Sequence, residues 1–232
     1  MTRGLLLVPL IAVPLTAAPL PDAERERQEV RERFGAWTDP LGDCTYRAAG
    51  GRVAVRLPEY PRAAIEYHPG PGLCPRFVRT VDGDFTASVR VEVPPQPDAR
   101  LDNRQPGGEA RYLAAGLTAE DAHGNRAGVR RFEKREGGHR TIYGAAWRRA
   151  GGGGGGMGSG GKEADPRLYL RLSRQGATVV FAVSPDGATW REYGKQEIGW
   201  TGPVTVGLIA ENSTGVPVEV TFDRFTLTQP KK

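Results

Sequence analysis

The sequence predicts an all-β protein, a two-layer antiparallel β-sandwich. Three observations carry that prediction. Apolar and polar residues alternate with a period of two in several segments, as expected when one sheet face is buried and the other is wet. The 232 residues include 32 glycines and 19 prolines, which punctuate the chain with turns and leave little room for long helices. Leu168 to Trp190 then reads as a hairpin closed by a second tight turn, Ser184-Pro185-Asp186-Gly187, with proline where φ is preset and glycine where φ is positive. A chain of this length supports one substantial core.

Taken in order, Met1 to Ala18 combines a basic residue, Arg3, an apolar run over Leu5 to Leu15, and small residues at Thr16-Ala17-Ala18. That is the pattern of a secretory signal peptide, and its apolar run is too short to span a bilayer. A secreted or periplasmic protein with no membrane span after cleavage is the expectation. Residues 19–33 form a leader. Val30, Phe34 and Trp37 fall at helical spacing, so Asp22 to Arg33 is either a short helix laid on the sandwich or a disordered arm.

The sandwich is expected over residues 34–228. Asp39-Pro40-Leu41-Gly42-Asp43 is turn chemistry, Cys44 to Arg47 suits a strand, Gly50-Gly51 reverses the chain, and Val53, Val55 and Leu57 alternate. Tyr60 to Pro75 is a proline-rich loop. Cys44 and Cys74 are the two cysteines; in an exported chain they suggest one disulfide closing a loop of about 30 residues, a contribution of about 3–4 kcal/mol, the other reading being two unpaired buried thiols. Phe85 to Val93 is the clearest strand, ended by Pro94-Pro95-Gln96-Pro97. Strands follow over Tyr112 to Thr118, Val129 to Arg135 and Thr141 to Trp147. Residues 150–161, nearly all glycine, have no side chains to bury and a high ordering cost, so a mobile loop is expected there. The hairpin around Gln175-Gly176 comes next, then Val204 to Ala210 and Val216 to Leu227, with residues 229–232 as a tail.

Tyr-Leu-Arg-Leu at 169–172 and Ser184 to Trp190, together with Gly83-Asp84-Phe85-Thr86, Val206-Gly207-Leu208 and Val220 to Phe225, resemble the concanavalin A-like lectin/glucanase sandwich family. That family includes the C-terminal domains of some β-xylosidases and many exported bacterial proteins. The resemblance covers roughly Trp37 to Thr228 and implies a jelly roll, with no shared catalytic signature to carry over. Ser184 to Trp190 is also one residue short of the Asp-box of sialidase propellers, but a propeller repeats its box once per blade and one copy occurs here.

The formal charge is +5. Between Arg126 and Arg149 eight Arg or Lys stand against Glu133 and Glu136, a local excess of six. An anionic partner and a solvated strand face both account for it; a nucleic acid is not expected, because regularly interleaved aromatics are missing. The histidines His68, His123 and His139 and the two cysteines have no metal-ligand spacing, and the glycine run has no Gly-Lys-Ser/Thr ending, so no metal and no cofactor are expected.

An enzyme of this fold would show paired acids. No Glu-x-Asp-x-x-Glu strand and no Gly-x-Ser-x-Gly elbow is present. Binding has better support. In curved sandwiches sugars stack on aromatic rings and bond to planar polar groups. Arg131 and Glu133 share one strand face, where the family commonly has an Arg-x-Glu pair, and in an unbroken register Tyr143 and Trp147 share a face of the next strand. Trp200 lies at a turn. A one-residue shift at Gly128-Val129-Arg130-Arg131 inverts which groups face the groove. The expectation is an exported, non-catalytic module that binds polysaccharide or oligosaccharide. A glycoside hydrolase of the same fold and a structural or protein-interaction module of the envelope remain as alternatives.

Overall fold

The computed structural model describes residues 22–59, 74–97, 100–101, 111–136, 139–160 and 166–230. The expected signal peptide and the loop over 60–73 lie outside the described residues. Among the described residues, helix α1 (Asp22–Phe34) precedes fourteen strands. They are β1 (Ala36–Thr38), β2 (Thr45–Ala49), β3 (Arg52–Leu57), β4 (Arg76–Val81), β5 (Phe85–Glu92), β6 (Tyr112–Asp121) and β7 (Arg126–Glu136). They continue as β8 (His139–Arg148), β9 (Gly154–Gly160), β10 (Arg167–Gln175), β11 (Thr178–Ser184), β12 (Arg191–Glu197), β13 (Val204–Asn212) and β14 (Val218–Thr228). Two antiparallel seven-stranded sheets result, one ordered β1-β4-β13-β6-β7-β8-β9, the other β12-β11-β10-β5-β14-β3-β2. This is the predicted two-layer sandwich. No helix among the described residues is long and apolar enough to cross a membrane.

The alternating segments supply the core. On β5, Phe85, Ala87, Val89 and Val91 are buried at every second position, and they meet Leu168, Leu170 and Leu172 of β10 and Val220 and Phe222 of β14 in one apolar cluster. The facing sheet contributes Phe77, Leu113, Leu117, Val129, Val206 and Leu208. Tight turns join the pairs where glycine allows positive φ: Gly50 and Gly51 (57° and 76°) between β2 and β3, and Gly176 (61°) between β10 and β11.

α1 is held by burial. Val30 and Phe34 are 3% and 2% exposed, and the Phe34 ring lies 6.0 Å from that of Phe77 and 6.3 Å from that of Phe225. Gly35 ends the helix at φ 104°, its N–H donating to the Arg31 carbonyl at 3.0 Å. The expected leader therefore plugs one side of the sandwich with a short amphipathic turn.

The turn after β11 is held by its own side chains. Ser184 Oγ accepts from the Gly187 N–H, and Asp186 Oδ1 accepts from the Ala188 and Thr189 N–H groups, all at 2.8 Å. These bonds favour the ionised carboxylate and pull Asp186 down from 3.8 to about 2. Trp190 folds back, its indole N–H donating to the Gly187 carbonyl at 3.1 Å, with the Arg171 guanidinium 3.7 Å over its ring.

Two expectations need correction. The glycine run is not a mobile loop over its described residues, because Gly154–Gly160 is the edge strand β9, paired with β8 from Arg148↔Gly154 to Thr141↔Gly160. Packing against β8 and β12 explains this. Met157 reaches the core from β9, close to Gly194 of β12, and the Trp147 indole lies so near Gly155 that a Cβ there would sit 2.6 Å from Cζ2. Packing and the β8 ladder outweigh the ordering cost of the glycines. The second correction is the disulfide: Cys44 and Cys74 are both free. Cys44 is held instead by its own turn, its N–H on Asp39 Oδ2 at 2.8 Å and its thiol directed at Asp43 Oδ1 at 3.5 Å.

Two outcomes are expected. A Cβ at Gly207 would fall inside van der Waals contact of the Phe77 carbonyl oxygen, whereas one at Gly158 would lie at an ordinary 3.5 Å from Thr141. Gly207→Ala should therefore cost at least about 1–3 kcal/mol in urea denaturation and Gly158→Ala little; equal effects would contradict the register. Asp186 is stabilising when ionised, so its contribution is present above pH 3.8 and lost as pH falls toward 2. Asp186→Asn should flatten stability between those values, read by thermal melts across that range.

Candidate functional site

The outer face of the β1-to-β9 sheet follows from its register. Phe77, Leu208, Leu117, Val129 and Ala145 pair across the sheet and face the core. Their chain neighbours point outward. One outward row reads Arg76, Ile209, Gly116, Arg130, Gly144 and Gly158, and the next reads Val78, Gly207, Thr118, Gly128, Ala146 and Gly156. Over β8 and β9 these rows are reduced to glycine and alanine. Cβ atoms built at Gly116, Gly144 and Gly154 would crowd the carbonyl oxygens of Val129, Met157 and Trp147, at 3.0 Å for Gly144 and 2.6 Å for Gly154. The missing side chains let the strands curl toward this face.

A cavity of about 790 Å³ occupies the depression. Gly144, Ala146, Gly154, Gly156 and Gly158 form its floor, Tyr112, Phe132, Arg130 and Glu211 one wall, and Trp147 and Arg148 border the other side. The Tyr112 and Phe132 rings lie 6.0 Å apart and form a small apolar cluster of their own with Ala114, separate from the main core. Arg130 Nε is 2.9 Å from Glu211 Oε1, with both side chains buried. The small residues Gly116 and Ala114 on the intervening strand β6 leave room for this contact. Burial, then Glu211, holds the Tyr112 phenol well above its usual range, so it is a neutral donor at physiological pH.

The five expected binding residues lie elsewhere, with one exception. Arg131 and Glu133 share a face, but it is the interior one, and both are 2% exposed. Arg131 Nη2 donates to Glu133 Oε1 at 3.0 Å and Nη1 donates to the Ile142 carbonyl at 3.0 Å, while Arg140 Nε donates to Glu133 Oε2 at 3.0 Å. Tyr143 also points inward, its ring 4.9 Å from that of Tyr193, with Arg191 donating to its hydroxyl. Trp200 is a core residue, 3% exposed, its indole N–H donating to the Asn125 carbonyl at 3.0 Å. Trp147 packs against the core and also borders the cavity.

The expected pairs are thus real and their phase is inverted. A charged pair buried in the sandwich defeats the rule that polar residues face out; Ala127 and Val129, of the same parity as Arg131, carried the signal that fixes the phase. Missed altogether were Arg130, Phe132, Tyr112 and Glu211. Their convergence depends on pairing between β6, β7 and β13, which local sequence does not display.

A different cluster lies at the turn before β2. Asp39, Asp43 and Cys44 bring one ligand atom each within 4.8 Å of one another. The Cys44 thiol is pushed up to about 12, by burial first and then by Asp39 and Asp43, so it stays protonated and donates within its own turn. Burial, then Glu211, also raises Cys74.

The sandwich resembles solved structures. A functionally unknown protein from Saccharomyces cerevisiae matches with a TM-score of 0.63 at 18% identity, over 87% of this chain and 98% of that one. The GH43 protein BlXynB from Bacillus licheniformis matches with a TM-score of 0.52 at 14% identity, over 82% of this chain and 36% of that one. A xylan β-1,4-xylosidase from Bacillus halodurans gives 0.51 at 12% identity, over 80% of this chain and 38% of that one. The chain therefore spans little more than a third of those two bacterial proteins. At these identities the likeness is one of fold, a concanavalin A-like sandwich. No family model matches the sequence, and no curated protein matches it.

Glu133 neutralises Arg131 inside the sandwich, so Glu133→Ala strands a buried guanidinium. A loss of about 3–5 kcal/mol is expected in chemical denaturation, a far larger effect than Glu219→Ala produces at the exposed Arg47 pair. Similar small losses for both would remove the structural role.

Proposed function

We propose that this chain is an exported, non-catalytic sandwich that binds a polysaccharide along the glycine-floored groove of the β1-to-β9 sheet. The groove carries the proposal: an open depression of about 790 Å³ whose floor lacks side chains and whose borders hold aromatic rings and planar polar groups. A sugar chain needs that combination. Its rings stack on aromatic faces, its hydroxyls bond to guanidinium, carboxylate and phenol groups, and an unobstructed floor admits a strand of several residues. Phe132 and Tyr112 supply the rings, and Arg130, Arg148 and Glu211 the polar groups. The signal-peptide pattern over residues 1–18 supports export.

The groove's acids support binding over cleavage. Glycoside hydrolysis employs two carboxyl groups about 5–10 Å apart, one to protonate the leaving oxygen and one to attack or to activate water. Among the described residues that line the groove, Glu211 is the sole carboxylate, and Arg130 lies against it at 2.9 Å.

Retention on insoluble polysaccharides and a glycan array test the proposal. Phe132→Ala should weaken binding about five- to tenfold, the cost of losing one aromatic contact of ~1 kcal/mol. Trp190→Ala, on the other sheet, should leave it unchanged. No retention on any glycan, with the fold intact by circular dichroism, would reject the carbohydrate reading in favour of a structural module.

A further inference from the structure

Building on the groove proposed above, we infer that its ligand is an acidic polysaccharide, a chain of uronate residues, and that Arg130 reads the sugar carboxylate. Arg130 is 5% exposed and lines the groove. Glu211 Oε1 lies 2.9 Å from its Nε as an ion pair without hydrogen-bond geometry, and is its only ionic partner among the described residues. The two Nη groups are left over. They form the edge of the guanidinium that takes a planar carboxylate through two parallel bonds, and charge-assisted bonds of this kind are about twice as strong as neutral ones.

The surroundings leave that edge accessible. Arg130 sits between Gly116 and Gly144 in its row, so neither cross-strand neighbour carries a side chain that could cover it. Nη2 lies over the floor, where a Cβ on Gly128 would be 3.8 Å from it. A neutral sugar hydroxyl can accept one bond there. A carboxylate can accept both and brings the opposite charge.

The charge of the whole face favours the same ligand. Among the described side chains that the register directs outward on this sheet, Arg76, Arg126, Arg130, Lys134 and Arg148 stand against Glu120 and Glu211, five cations to two anions. Arg126 is matched by Glu120 at 2.7 Å and Arg130 by Glu211, which leaves the face net positive. Arg148 is exposed and borders the groove. Part of the basic run between Arg126 and Arg149 is thereby accounted for: Arg131 and Arg140 pair with Glu133, and Arg130 and Arg148 line the groove.

Polygalacturonate and the same polymer fully methyl-esterified differ only in the carboxylate charge, so affinity electrophoresis of the full chain in gels containing one or the other isolates it, with neutral xylan as a third arm. Wild type should be retarded at least about tenfold more strongly by polygalacturonate than by its ester, less so as salt rises. Arg130→Lys keeps the charge but loses the fork and should weaken polygalacturonate binding about tenfold. Arg148→Gln, at an exposed position with no demand on folding, should weaken it severalfold, whereas Lys195→Gln on the other sheet should not. Equal retardation by the polymer and its ester, preference for xylan, or an unchanged Arg130→Lys variant would overturn the uronate inference while leaving a groove that binds sugar. Retardation by none of the three would overturn both.

Discussion

The groove exists because a charge is buried beneath it. Arg131 projects into the sandwich, where an unpaired guanidinium would cost several kcal/mol, and it is tolerated because it donates to Glu133 and to the Ile142 carbonyl, while Arg140 donates to the second Glu133 oxygen. That network lies at the irregularity between Arg131 and Lys134 where β7 and β8 change register. With Arg131 and Glu133 held inward, period-two alternation leaves Arg130 and Phe132 no direction but outward. Every group assigned to the wall of the groove follows from that phase.

Glycine shapes the other half. Gly144, Ala146, Gly154, Gly156 and Gly158 on β8 and β9 keep the floor of the depression empty of side chains. The same feature explains how β9 survives as a strand with so little to bury. One residue facing the core, Met157, and one indole lying across Gly155 tie it to the sandwich. A glycine run with neither would have been the loop that composition suggests. Its position at the sheet margin extends the floor beyond β8 and widens the groove on the Trp147 and Arg148 side.

The two sheets use their outer faces differently. Beyond β10 and β14 the outward residues are tied to one another: Arg90 with Asp223, Tyr169 with the guanidinium groups of Arg90 and Arg224 near its ring, Arg171 with Trp190. Such a lattice stiffens a surface and leaves few groups to offer a ligand. On the glycine face the polar groups are few and deep, and Arg130 keeps its Nη edge unengaged. That contrast, more than any resemblance to other sandwiches, points to one sheet as the working surface.

The alternation of Phe85 to Val93, the Gly50-Gly51 and Gln175-Gly176 reversals and the Ser184-to-Gly187 turn determined by themselves that the chain is a sandwich of hairpins, because strand period and turn stereochemistry are local properties. The helix at Asp22–Phe34 was half-legible, its apolar edge visible and its anchor on Phe77 and Phe225 not. Ala127 and Val129 mark the inner face of β7, but only tertiary structure shows that a guanidinium is neutralised on it. It alone set Arg130 against Glu211 across β6, and made a strand of Gly154–Gly160. These contacts join residues far apart in the chain, and their energies depend on partners that a local stretch of sequence does not contain.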